Sequence, residues 1–219
     1  IKMVRPWALV SASLLGLGLC MGGFWAYETL GWGGFWMWDP VENAALIPWL
    51  CMIAFIHGLF IQQVRGRWMI TNAVLGSLGL LSFMYGTFLT RSGFLGDTSV
   101  HSFASMDSSA LYLLIGLGVI CLGSLVGAAV WRGIKLKSSL PKEAEGALDR
   151  GSAYSTGVVL LLMLALSSGV GMSVPLIMSL QGKKPSVVEE ALYNKVTPWF
   201  FVALVLLMAV GPYLAWRKE

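Results

Sequence analysis

The chain has 219 residues, of which 57% are hydrophobic and only 12% charged, and its mean hydropathy is +0.74; soluble domains carry about 25% charged residues. Composition therefore excludes a soluble domain and calls for an integral membrane protein. The net charge of +4 reflects how cations divide across a membrane and meet anionic headgroups, and it gives no support to nucleic-acid binding.

A bilayer core of ~30 Å needs about 20 apolar residues in helical form. Six stretches meet or approach that length, approximately residues 6–30, 44–64, 68–90, 109–131, 153–178 and 199–216. Each must be helical, because lipid offers no partner to an unsatisfied backbone group. The expected fold is all-α, a polytopic transmembrane bundle of about six helices. The first stretch is too long for the apolar region of a signal peptide, and no small-residue cleavage site precedes the next segment.

That next segment, residues 32–50, carries Trp32, Trp36, Trp38 and Trp49 around Asp39 and Glu42, with Gly33 and Gly34 as hinges. Aromatic rings with two carboxylates at the edge of hydrocarbon suit a planar amphiphile such as a porphyrin, laid on a flat shelf with polar groups at its rim. The same rings also suit an interfacial aromatic belt.

The second stretch contains His57, about thirteen residues in and so ~20 Å along the helix. An ionisable group at that depth faces a bundle interior or cavity. It serves either as a hydrogen-bonded neutral imidazole between helices or as an axial ligand to haem iron. The third stretch ends at Arg91, whose guanidinium either pairs with a carboxylate such as a haem propionate or reaches toward headgroups. The loop that follows holds His101, the second of the 2 histidines.

Beyond the fourth stretch, residues 132–152 are rich in Lys, Glu, Ser and Pro and form a solvated linker. It separates a four-helix unit, 1–131, from a final helix pair with its outer loop, 153–219. If both termini lie inside, eleven of the 15 Lys and Arg residues fall on the cytoplasmic side, against Arg91, Lys183, Lys184 and Lys195 outside, as the positive-inside rule requires. The Trp-rich loop, the 91–108 loop and the 181–198 loop then share the outer face.

Cys20, Cys51 and Cys121 stand singly in different helices, with no CxxC or CxxCH, which leaves them as packing residues. Gly123 and Gly127 make a GxxxG pair of the kind that lets helices approach. There is no nucleophilic triad, no P-loop and no cluster suited to zinc, so no catalytic residue is assigned. A start at Ile1 and a stop at Glu219 just past a helix suggest a piece of a larger protein.

Residues 32–44, Trp-Gly-Gly-Phe-Trp-Met-Trp-Asp-Pro-Val-Glu-Asn-Ala, resemble the WWD motif of haem-handling membrane proteins. With Ile47-Pro48-Trp49-Leu50, Gly86 to Gly93 and Ser99 to Ala104, the likeness is to the CcmF/NrfE branch, the haem lyase component of cytochrome c maturation. Tyr193, Asn194 and Pro198 are loosely similar to that family's outer loop near its last helices.

The resemblance implies that Trp32, Trp36, Trp38 and Asp39, with Glu42 beside them, receive haem from a haem chaperone, and that His101 ligates it at the outer face with Arg91 nearby. His57 is similar to the intramembrane histidine that holds a stable haem b, thought to reduce the incoming haem. The family has two further ligand histidines. They either lie beyond the ends of a fragment or this chain does not bind haem as the family does. The implied function is joining haem to the CxxCH thiols of apocytochrome c, as a lyase subunit among other maturation proteins in the lipid of the bacterial inner membrane. The rivals are a haem exporter or carrier without ligation activity, and a structural subunit with an aromatic belt.

Overall fold

The structure, a computed structural model, describes residues 1–30, 34–93, 95, 107–136 and 149–216. These residues form six helices, α1 Val4–Leu30, α2 Pro40–Arg65, α3 Met69–Arg91, α4 Ser108–Leu136, α5 Arg150–Leu180 and α6 Glu190–Val210, followed by a 3-10 turn at Gly211–Tyr213. All 6 are long and apolar enough to cross a membrane, and the protein is an all-α, multi-pass membrane bundle.

Several boundaries depart from expectation, and α4 runs to Leu136 and α5 begins at Arg150, both inside the stretch expected as linker. Helix α2 begins at Pro40 rather than near residue 44, because Asp39 caps it and Glu42 closes a capping box. Proline at the first helical position has the right φ and no N–H to orphan. Helix α6 begins at Glu190, so residues expected in the outer loop up to Pro198 are helical. Hydropathy marks the lipid-facing part of a helix, whereas its polar first turns stand outside that part. Pro212 then limits the C-terminal end to a 3-10 turn.

Helices α2 and α5 form the centre. Ile47, Leu50 and Ala54 of α2 pack with Leu161, Leu164 and Met172 of α5, and Leu75 and Leu89 of α3 complete this core. The core thus joins segments on both sides of the linker. Helix α1 adds Ala8 and Ala12 against Ile56 and Leu59 of α2. Much of α1 and α4 faces outward with large apolar side chains such as Leu14, Met21, Tyr112 and Ile120, which lipid can cover. Between membrane helices the gain is van der Waals contact, favoured by small residues. At Gly86 a Cβ would lie 2.8 Å from the Ala44 Cβ and 3.1 Å from its carbonyl oxygen. Pro48, four residues after Ala44, has no N–H to donate to that carbonyl, so α3 approaches α2 where its helical bonding is interrupted.

The helices alternate in direction and define two ends. At one end Arg65 pairs with Asp149, Arg5 donates to Gln63 at 2.5 Å, and Arg150 donates to the Pro212 carbonyl at 2.6 Å. Burial raises the Asp149 carboxyl, but the Ser152 backbone N–H, the Arg65 guanidinium and the Ser152 hydroxyl outweigh it and hold the group below the usual carboxylate range. At the other end stand the start of α2, the end of α3 and the start of α6, around the aromatic loop.

Candidate functional site

The loop from Gly34 to Asp39 enters α2 through its cap. The Asp39 carboxylate accepts from the Val41 N–H at 3.0 Å, and Glu42 Oε2 accepts from the backbone N–H groups of Met37 at 3.0 Å and Asp39 at 3.2 Å. Both carboxylates expected at the rim of a platform therefore also shape the loop that carries the tryptophans. A cap of this kind contributes about 1 kcal/mol.

Trp38 has φ of 57°, a left-handed conformation that costs a residue with a Cβ roughly 1–2 kcal/mol. Surrounding bonds hold it there. Its carbonyl accepts from Asn43 Nδ2 at 2.9 Å, and its indole Nε1 donates to Asn194 Oδ1 at 3.2 Å. Its ring stacks on Tyr193 of α6, with centroids 4.9 Å apart and planes at 2°. Trp36 meets Trp38 edge-on, 6.4 Å away at 86°. The two rings thus form a corner rather than the flat shelf expected, and Tyr193 takes one face of Trp38. The Trp36 Nε1 is buried with no acceptor among the described residues.

Arg91 is the exposed last residue of α3, and the approach of Gly86 to Ala44 puts that end of α3 beside the start of α2. Trp32 and His101 lie outside the described residues.

His57 is at the other end of α2. Counting from Pro40, it lies ~26 Å along the helix by rise per residue, deeper than a start at residue 44 implies. It is half-buried, and its Nδ1 stands 2.7 Å from the Ile53 carbonyl. A carbonyl only accepts, so Nδ1 carries a proton, and in the neutral ring Nε2 then keeps its lone pair. This is how a backbone partner fixes the tautomer of a ligating histidine. The residue therefore fits one axial bond to a haem. Among the described residues no group of ≥ 3 His, Cys, Asp or Glu gathers to hold a bare metal ion. Tyr154 of α5 flanks the imidazole at 5.3 Å and stacks in turn on Trp216 at 5.7 Å.

Asn43, Tyr193, Asn194 and Tyr154 were not among the expected site residues. Asn43 was open to recognition, as an amide in an apolar stretch that needs buried partners; it is 0% exposed. Tyr193 and Asn194 act across some 150 positions of sequence, a proximity that no local pattern carries.

Residues 1–95 match the family described as Cytochrome C assembly protein. The cytochrome c-type biogenesis protein CcmF of Escherichia coli (strain K12) is 35% identical over 100% of this chain, which covers 33% of that protein. CycK of Bradyrhizobium diazoefficiens, also a cytochrome c-type biogenesis protein, is 36% identical over 99% of this chain and 32% of its own length. A "probable cytochrome c-type biogenesis protein NrfE" of Escherichia coli is 32% identical over 97% of this chain and 37% of its own length. A solved structure of the cytochrome c heme lyase CcmF superposes with a TM-score of 0.72 at 29% identity, covering 98% of this chain and 30% of that one. The chain thus spans about a third of the length of the curated relatives it matches. From sequence and fold together, it belongs to the CcmF/NrfE family of cytochrome c-type biogenesis proteins.

Proposed function

We propose that this chain supplies the haem-receiving part of a cytochrome c haem lyase. Trp36 and Trp38, together with Trp32 of the same motif, bind and orient substrate haem at the outer face of the bacterial inner membrane. His101 ligates its iron, and Arg91 pairs with a propionate. The haem comes from a haem chaperone and is joined to the CxxCH thiols of apocytochrome c in company with other maturation proteins. His57 holds a resident haem b inside the membrane through Nε2, its Nδ1 being engaged by Ile53. Haem bound there supplies one-electron chemistry, and the protein's part is to place it and exclude water.

The observation that carries this reading is the aromatic corner, Trp36 at 86° to Trp38, fixed beside the cap of α2. One wall of the corner can take the face of a porphyrin while the other bounds its edge. Interfacial belt residues need no such fixed geometry.

The test compares Trp36→Ala with Trp7→Ala and Trp199→Ala in the whole protein, the last two being tryptophans 71% and 75% exposed. Loss of one ring should weaken hemin capture by roughly 2- to 12-fold, the equivalent of about 0.5–1.5 kcal/mol, and lower cytochrome c maturation, while the controls change neither. Equal small effects at all three positions would leave the loop as a belt. Weakened hemin capture without any maturation defect would point to a carrier.

A further inference from the structure

Trp38 owes its orientation to a helix that begins 150 residues later in the chain. Tyr193 is 6% exposed and lies parallel to the Trp38 indole at 4.9 Å and 2°. Its neighbour Asn194 accepts the indole N–H at 3.2 Å and is steadied by donating to Glu190 at 2.9 Å. Asn43, fully buried, holds the Trp38 carbonyl and also reaches the Tyr193 hydroxyl at 3.4 Å. Tyr193 gains its place because α5 offers Gly171 where a methyl group would overlap the tyrosine hydroxyl. The ring is therefore boxed by α2, α5 and α6, and one face of Trp38 is closed.

We infer that Tyr193 is a positioning residue for haem capture: it covers one face of Trp38, directs the opposite face toward the ligand, and so makes the final helix pair set the angle at which haem docks. The inference rests on the haem-receiving reading above. Tyr193 itself touches Trp38 and not the ligand. The stacked face, at near-zero interplanar angle, matters more than the hydroxyl, whose contact with Asn43 is at the long end of hydrogen bonding.

The experiment titrates hemin into the purified whole protein and follows the Soret band, in parallel with the reduced b-type signal of the His57 site and the amount of protein inserted. Tyr193→Leu removes the aromatic face and should weaken hemin binding by roughly 2- to 12-fold with a shifted Soret maximum, at unchanged insertion and b-type signal. Tyr193→Phe restores the face and should recover affinity to within about twofold, since only a weak hydrogen bond is lost. Gly171→Ala displaces the ring indirectly and should fall between them. Wild-type affinity and Soret position in Tyr193→Leu, while Trp36→Ala is impaired, would overturn the inference and leave the haem-receiving reading intact. Wild-type behaviour in both variants would overturn the reading and the inference with it. A Leu variant that also loses insertion or the b-type signal, or a Phe variant as weak as Leu, would make Tyr193 a residue of the fold alone and overturn the assignment.

Discussion

His57 combines two properties that an apolar helix rarely places together, a half-buried imidazole and a tautomer set by its own backbone. The Ile53 carbonyl accepts from Nδ1–H, so in the neutral ring Nε2 keeps the lone pair that a ligand needs. His57→Ala should therefore abolish the reduced b-type absorption of the whole protein while insertion stays at wild-type level. The axial bond has no substitute among neighbouring Leu and Phe, and loss of one polar group from a lipid-facing bundle costs little in folding. Full haem content in the variant would remove His57 from the site. The same ring environment changes the standing of Trp216. It stacks on Tyr154, which flanks His57, and so it is no neutral control for the loop tryptophans.

At the scale of single elements, the start of α2 shows a motif serving its own backbone. Asp39 and Glu42 form a capping box, so a test of Asp39 must separate cap from charge. Asparagine caps as well as aspartate, and alanine does not. Asp39→Asn should keep maturation near wild type, whereas Asp39→Ala should lose about 1 kcal/mol of local stability and reduce hemin capture. A failing Asn variant would show instead that the carboxylate charge itself is used.

Helix α5 has its own test in pH. Asp149 is held below the usual carboxylate range in the folded protein, so its contribution is complete above the unfolded carboxylate pKa and disappears as pH falls through the lower folded value. Thermal unfolding in detergent should lose stability across that acidic window in the wild type. Asp149→Asn should be destabilised at neutral pH by about 2 kcal/mol, the worth of a hydrogen bond to a charged group, and should show a flatter acid limb; identical acid limbs would refute the linkage. The existence of all six helices was legible, because lipid demands long apolar runs. The early start of α2 was also legible, since Asp39-Pro40-Val41-Glu42 is a capping sequence. The early start of α6 was not: Glu190 to Lys195 are polar enough to read as loop, and only burial of Tyr193 against Trp38 shows why they are wound.

For the whole molecule, the two ends of the bundle predict two sides of a membrane. Ser186→Cys, in the connection between α5 and α6, should react with an impermeant maleimide added outside the cell, and Lys2→Cys only after permeabilisation; both positions are exposed. The reverse pattern would invert the orientation drawn from the cations. The pairing of α2 with α5 across the linker has a further consequence in time. At ~5–20 residues per second, the ribosome needs on the order of ten seconds to add everything between Arg65 and Leu180. Until α5 has been made, Asn43, Arg65 and the inner face of α2 have no α5 to meet them. A nascent chain halted in the linker should therefore present a polar, half-covered helix to the quality-control proteases of the membrane, and synthesis of the last two helices is what ends that exposure.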